Sequence, residues 1–299
     1  MERNSIFYKI RRKGQVFAQK VLPDEVLCKL YSRVVLKKNI DLKVPKTFNE
    51  KIQWLKINDY PNNALVIKCA DKYRVREYIS EKGFGEILVP LYGDWDSADN
   101  IVWEDLPDKF VLKCNHGCAY NIVCSDKSKL NKRETVQQLK KWMKEDFGVF
   151  NIERHYSKIK PHIICEEYLG EKITDYKFFC FNGEPKYIYV SNDLIHDRQA
   201  KIGFFYLDGS KMPLKRDDYA DIDVQKLELP EFFENMKNTA KALSSDFNFV
   251  RVDFFIANDT YYFAELTFTL SGGMMVFNPE KYDLEWGNML DINELMEKK

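Results

Sequence analysis

The chain has 299 residues, 45% hydrophobic and 31% charged, an ordinary composition for a folded globular protein. Its 46 basic and 46 acidic side chains cancel, and because nucleic-acid binders usually carry a basic excess, the balance argues against nucleic acid as a partner. No apolar run approaches the roughly 20 residues needed to cross a bilayer. The first 20 residues mix Ile6, Phe7 and Ile10 with Arg11, Arg12 and Lys13 rather than forming a signal-peptide core, so a cytoplasmic location is expected.

Residues 1–20 carry six basic side chains against Glu2, a local charge of +5. A basic amphipathic start of this kind can touch the inner, anionic face of a membrane; a solvated, frayed chain end is the alternative and the one expected. Residues 24–37, 48–56 and 65–81 repeat apolar side chains at helical spacing. Thr47 with Glu50 forms a capping-box pair at the start of the second of these helices. Gly83 and Gly85 end the third, and a loop is expected through Pro90, Gly93 and Asp94.

From Pro107 the pattern turns to strands, over 110–115 and 121–125, with a flexible tip between them. A helix is expected over 131–147, strands over 162–167, 176–181, 185–190 and 201–206, and a helix over 229–245. A hairpin over 250–256 and 261–268 turns at Asn258 and Asp259. Strand runs interrupted by single helices predict an α+β fold with mainly antiparallel sheets. The expected division is a helical N-terminal region, 1–105, then two lobes, 106–170 and 171–299. The seven cysteines form no CxxC pair. Cys114, His116, Cys118 and Cys124 are the one cluster of zinc-ligand type, but strand alternation scatters them, so small apolar thiols are the better reading.

The last hairpin is the most informative stretch. Side chains two apart on a strand share a face, so Arg251 and Asp253 point one way, and Glu265 and Thr267 also share a face. Val252, Phe254, Ala264 and Leu266 are assigned to the other side. Two carboxylates on such a face suit Mg²⁺, which takes hard oxygen ligands; a solvent-facing hairpin with cross-strand ion pairs suits the same residues equally well. Lys113 ends an apolar strand beside a glycine-containing loop, where an ammonium can reach a phosphate, although most such lysines are simply solvated. Glu166 and Glu167 close another apolar strand before Tyr168, Leu169 and Gly170, a strand exit whose backbone can read an adenine edge; an acidic strand end is the plain alternative. Asp175 and Lys177 follow on the next strand. Ser271, Gly272 and Gly273 form a turn whose N–H groups could face an anion or simply reverse the chain.

Taken in order, these pieces resemble the TupA-like ATP-grasp family, associated with teichuronopeptide and other surface-polysaccharide biosynthesis. The resemblance starts at residues 47–56 and continues through 71–78, 110–117, 175–183 and 263–268. It implies two α+β lobes clasping ATP. Residue by residue, it implies that Lys113 contacts the α- and β-phosphates and that Asn115, His116 and Gly117 begin a loop that runs to Tyr120 and closes over them. It puts Glu166, Glu167, Tyr168 and Leu169 at the adenine and Asp175 and Lys177 beside the γ-phosphate. Asp253 and Glu265 become ligands of Mg²⁺, or of Mn²⁺ in its place, and Arg251, with Ser271 and Gly272, the catalytic group that steadies a tetrahedral intermediate. Where the general pattern has Glu-x-Asn, this chain has Thr267, a weaker oxygen ligand. Arg198 and Gly273 are further substrate candidates, whereas Lys72 and Arg76 read as a solvated basic face.

The implied activity is an ATP-dependent carboxylate–amine ligase acting through an acyl-phosphate. It would join an amino acid to a uronic acid or amino sugar of a bacterial surface polysaccharide, with the sugar nucleotide-linked, lipid-linked or part of the polymer. Two rivals stand beside it: a glycosyltransferase, for which Asp217 and Asp218 would be the metal pair, and a non-catalytic nucleotide-binding partner.

Overall fold

A computed structural model describes residues 6–192, 200–216 and 219–298. Five helices come first: α1 (Ile6–Val21), α2 (Asp24–Leu36), α3 (Phe48–Asn58), α4 (Ala64–Ala70) and α5 (Val75–Glu81). Strands β1 (Leu91–Trp95), β2 (Phe110–Cys114) and β3 (Asn121–Cys124) follow, then helix α6 (Lys132–Met143) and strand β4 (Ile163–Glu167). A meander of β5 (Thr174–Phe181), β6 (Glu184–Asn192), β7 (Lys201–Tyr206) and the short β8 (Ala220–Asp221) leads to helix α7 (Phe233–Ser244). The hairpin β9 (Phe249–Ala257) and β10 (Thr260–Thr267) precedes helices α8 (Lys281–Met289) and α9 (Asn293–Glu297).

The strands form two sheets. The smaller runs β1-β4-β2-β3, antiparallel throughout; the larger runs β10-β9-β5-β6-β7-β8, antiparallel except for the β7–β8 pair. The fold is therefore α+β, as composition and pattern predict. Each sheet has its own core. Phe110, Leu112, Cys114, Ile163 and Cys165 pack towards α6, while Phe178, Phe254, Met236 and Leu243 meet between the large sheet and α7. Trp286 of α8 stacks on Tyr187, with ring centroids 5.3 Å apart, and edges against Phe48, which ties α3 to the large sheet. In each case alternation sends the opposite face of the strands towards a shared cleft.

Several local expectations hold for local reasons. The Thr47 hydroxyl accepts from the Glu50 amide and the Glu50 carboxylate accepts from Thr47, closing the capping box. Asn258 and Asp259 both take positive φ, the geometry a two-residue hairpin turn requires. Three expectations do not hold. The helix expected over 65–81 is broken at Asp71, whose Oδ1 accepts from the Tyr73 and Arg74 amides and so competes with the helical ladder. The loop expected through Pro90 and Gly93 contains β1, an edge strand paired with β4 and bulged between Leu91 and Gly93. Because β1 belongs to the smaller sheet, that sheet begins before residue 106, the expected start of the first lobe. Residues 6–20 of the N-terminal stretch, expected as a frayed end, lie in the helix α1.

Candidate active site

The floor of the cleft is a row of charges built by strand register. Lys177 on β5 pairs with Asp253 on β9, and Asp253 pairs with Glu265 on β10. Two residue pairs along, on the same face, Arg251 faces Thr267. Lys177 Nζ lies 3.0 Å from Asp253 Oδ2 and also pairs with Asp175. The Arg251 guanidinium forks onto Asp253, with Nε to Oδ1 at 2.7 Å and Nη2 to Oδ2 at 2.5 Å, and Nη2 also donates to Thr267 Oγ1 at 3.1 Å. Glu265 takes Lys72 at 3.4 Å and Arg251 at 3.6 Å. Asp175, Asp253 and Glu265 thus face Lys72, Lys177 and Arg251. Asp175 and Asp253 are out of solvent, where an unpaired charge would be costly.

The bulge between Phe263 and Glu265 sets the face of β10. It inserts Ala264, which lines the cleft, and sends Phe263 with Leu266 into the core. Strict alternation, which put Ala264 in the core, is corrected by this one extra residue. The electrostatics follow from the crowding. Burial opposes the charge of Glu265, but Lys72, Arg251 and Lys177 outweigh it and hold the carboxyl down at about 2. Burial pushes the Asp175 carboxyl up to about 6, against the pull of Lys177 and with Asp253 adding to the push. Burial likewise disfavours the charged forms of Lys177 and Arg251, yet the surrounding carboxylates win and raise both.

The roof comes from the smaller sheet. Lys113 on β2 pairs with Glu166 on β4, and Arg76 approaches the same carboxylate at 3.7 Å. Glu166 is therefore committed to cations. The Glu167 amide donates to the Pro90 carbonyl, while Glu167, Tyr168, Leu169 and Gly170 line the cleft. Val89, Val111, Ile173 and Phe255 add apolar walls to this end, and the whole cleft holds about 620 Å³. It is an apolar slot at one end and a field of paired charges at the other.

The loop after β2 divides. Asn115 and His116 do not line the cleft, contrary to expectation. Asn115 is buried, donating to Asp71 and to the Lys160 carbonyl and accepting from the His162 amide. The buried His116 ring meets the Trp142 carbonyl at 3.1 Å, and burial lowers its pKa. Both anchor the base of the loop. The Gly117 carbonyl accepts from Lys72 at 3.0 Å, and Cys118, Ala119 and Tyr120 reach the cleft.

A second pocket of about 380 Å³ adjoins the first, sharing Cys118 and Glu265 as walls. Arg251, Thr267, Ser271 and Gly272 line it from one side, and Arg11, Arg12 and Gln15 of α1 from another. Ser271, Gly272 and Gly273 all take positive φ. The Gly272 and Gly273 amides donate to the Thr269 and Leu270 carbonyls, so these two N–H groups are spent inside the turn and are not offered to an anion. Gly273 is not among the residues lining the pocket and lies against Gln53 and Ile52. Buried Lys56 braces the turn, donating to the carbonyls of Gly272 at 2.7 Å and Asn151 at 2.9 Å. Arg198, Asp217 and Asp218 lie outside the described residues.

Sequence reasoning passed over four basic groups here. Of Lys72 and Arg76, read as a solvated face, Lys72 enters the cleft because the chain turns at Asp71, and Arg76 reaches Glu166 in its wall; an aspartate two residues before Tyr73 is the local signal. Arg12 and Lys56 carry no local signal, since their partners lie more than 90 residues away.

Asp253 and Glu265 are the carboxylates of the cleft floor that could donate oxygen to a divalent ion; both Asp253 oxygens accept from Arg251, and Oδ2 also from Lys177. Among the described residues no group of three or more His, Cys, Asp or Glu could cage a metal. The set fits Mg²⁺ or Mn²⁺ that arrives on phosphate oxygens, because such ions need only one or two protein carboxylates. Thr267 Oγ1 accepts from Arg251 and donates to Glu265 at 3.3 Å, which makes it a link between the two rather than a free donor.

Two mainly antiparallel sheets closing on a cleft with lysines from both sides is the architecture of the ATP-grasp proteins. Residues 50–291 match the family model described as TupA-like ATPgrasp, and the chain belongs to that family. Among solved structures it is similar to D-alanine–D-alanine ligase from Bacillus anthracis complexed with ATP, at 15% identity and TM-score 0.40, covering 67% of this chain and 55% of that one. It is also similar to the Helicobacter pylori D-alanine–D-alanine ligase, at 16% identity and TM-score 0.43 over 76% of this chain and 63% of that one. The L-amino acid ligase from Bacillus licheniformis matches at 15% identity and TM-score 0.42, over 70% and 44% of the two chains. The chain spans about half the length of these solved relatives. No curated protein matches it by sequence.

Proposed function

We propose that the protein is an ATP-dependent carboxylate–amine ligase. The observation that carries this is the single cleft in which an apolar slot, Lys113 from one sheet, and Lys177, Asp253 and Glu265 from the other face the same space. In this reading adenine lies between Val111, Leu169, Ile173 and Phe255, and the triphosphate runs past Lys113 and Lys72 to Lys177. A divalent ion held by Asp253 and Glu265 would offset phosphate charge. A substrate carboxylate attacks the γ-phosphorus, releasing ADP and leaving an acyl-phosphate; an amine then attacks the acyl carbon and phosphate departs, leaving an amide. Lysines and arginine fixed in place before the reaction stabilise the charge on the transferred group without reorganising. No side-chain nucleophile is needed.

The second substrate belongs in the smaller pocket, where Arg251 faces the point at which the acyl carbon would sit and Arg11 and Arg12 add positive charge suited to an anionic partner. Family membership supports an amino acid and a uronic acid or amino sugar of a surface glycan as the pair joined. We keep the division into a helical region and two lobes, with the first lobe extended back to include β1, and a cytoplasmic site of action.

The test is calorimetry with Mg²⁺-ATP, then ADP release with amino acid and uronic acid pairs. Binding with amine-dependent ADP release is expected. No heat at millimolar ATP would remove the nucleotide reading. ATP binding without turnover on any pair would leave a non-catalytic nucleotide-binding partner, and hydrolysis of a nucleotide sugar without ATP would favour a glycosyltransferase.

A further inference from the structure

Helices α1 and α2 turn apolar side chains outward. On α1, Ile10, Phe17 and Val21 recur at spacings of seven and four, one stripe of a helix, and Phe17 is 68% exposed. On α2, Val26, Leu30 and Val34 recur every fourth residue, and Val34 is 78% exposed. The inner faces are satisfied: Ala18, Leu27, Cys28 and Tyr31 pack into a small core with Ile40 and Ile152. The outward stripes therefore do not exist to hold the helices in place. Exposed Lys13 and Lys20 flank Phe17, and Arg33, Lys37 and Lys29, the last paired with Glu25 at 2.6 Å, lie beside the α2 stripe.

We infer that the α1–α2 hairpin docks on an anionic membrane surface, with the apolar stripes entering the headgroup boundary and the lysines and arginine meeting lipid phosphates. Charge complementarity selects this occupant. A basic rim around exposed apolar side chains is the pattern of interfacial helices. A second copy of the chain docked by its own stripe would bring Lys13, Lys20, Arg33 and Lys37 face to face with their copies, which is unfavourable. The opposite side of α1 carries Arg11, Arg12 and Gln15 into the smaller pocket. A helix is about 10–12 Å thick with its side chains, so docking brings that pocket to within one helix width of the bilayer, where a lipid-borne acceptor would be in reach. The docking itself does not rest on the ligase reading.

The experiment is co-sedimentation of the full chain with phosphatidylcholine vesicles, with and without phosphatidylglycerol, alongside ATP calorimetry. Binding to the anionic vesicles alone is expected, weakening as salt rises. Phe17→Glu with Val34→Glu is expected to weaken it at least about tenfold, because burial of two large apolar groups is lost. Replacing Lys13, Lys20 and Arg33 by Gln is expected to do the same by removing charge alone, while ATP affinity holds in both variants. The inference is overturned if anionic vesicles do not bind the protein, if either variant binds them as well as the parent, or if light scattering shows a dimer that the Phe17 and Val34 substitutions dissociate.

Discussion

Asp253 has no solvent exposure and lies between two cations, Arg251 and Lys177. Removing one partner of a buried pair costs about 3–5 kcal/mol, because the remaining charge is left without a counterion. Asp253→Ala is thus expected to lower both turnover and stability, and its loss of activity would be a poor guide to the role of the carboxylate. Glu265 is the better probe. It borders the cleft, its carboxyl is held down at about 2 by Lys72, Arg251 and Lys177, and it stays ionised throughout the neutral range. Glu265→Gln keeps the shape and removes the charge. The expected result is a fall in turnover of about 100-fold or more, with the thermal midpoint changed by a few degrees at most. Steady-state ADP release and thermal unfolding on the same preparation check it; unchanged turnover would remove Glu265 as a carboxylate that holds the divalent ion.

At the scale of elements, α3 supports the smaller pocket from behind. Lys56 bonds the Gly272 and Asn151 carbonyls, and Gln53 Nε2 donates to the Gly273 carbonyl at 3.0 Å. The turn needs this support, since three consecutive residues hold positive φ, costly for Ser271 in particular. A Cβ on Gly272 would meet Asn151 Cβ at 2.9 Å. Lys56→Met preserves the apolar stem but leaves the half-buried Asn151 carbonyl without its donor and the buried Gly272 carbonyl with only Gln53 Nε2 at 3.4 Å, at about 1–3 kcal/mol for an unsatisfied group. A loss of about 2 kcal/mol in urea unfolding is expected, together with a raised KM for the non-nucleotide substrate and unchanged ATP affinity. A raised ATP Kd would mean that α3 supports the nucleotide cleft instead. None of this support is legible in the chain, because Lys56 acts across 95 and 216 residues. The β9–β10 hairpin is legible, because alternation and the Asn258–Asp259 turn are local properties. Its bulge at Ala264 is not, and neither is β1, which exists because β4 pairs with it from 75 residues away along the chain at the Leu91–Glu166 pair. The break at Asp71 lies between these cases: the acceptor is local, but helical periodicity on both sides hides it.

For the whole molecule, acid stability follows from a histidine that takes no part in the cleft. His155 is fully buried, its ring 5.8 Å from that of Tyr60 and 4.4 Å from that of Tyr156. Burial, with the nearby Lys56 charge adding to it, pushes the imidazole down to about 3. In the unfolded chain the same group titrates near 6.5. The folded state therefore binds fewer protons below pH 6.5, so this contribution is fully present above that pH and is lost as pH falls towards 3. The slope approaches about 1.4 kcal/mol per pH unit, which makes the loss between pH 7 and pH 5 about 2 kcal/mol. Against a typical total of about 5–15 kcal/mol, that is a substantial share. Burial lowers His116 as well, so it acts in the same direction. His155→Phe keeps an aromatic ring beside the two tyrosines and removes the titration. Urea unfolding at pH 7 and pH 5 is expected to show the parent losing about 2 kcal/mol more than the variant on acidification. Equal losses would mean that His155 is protonated in the folded chain, and the tyrosine-lined site would then have to contain a counter-charge or water.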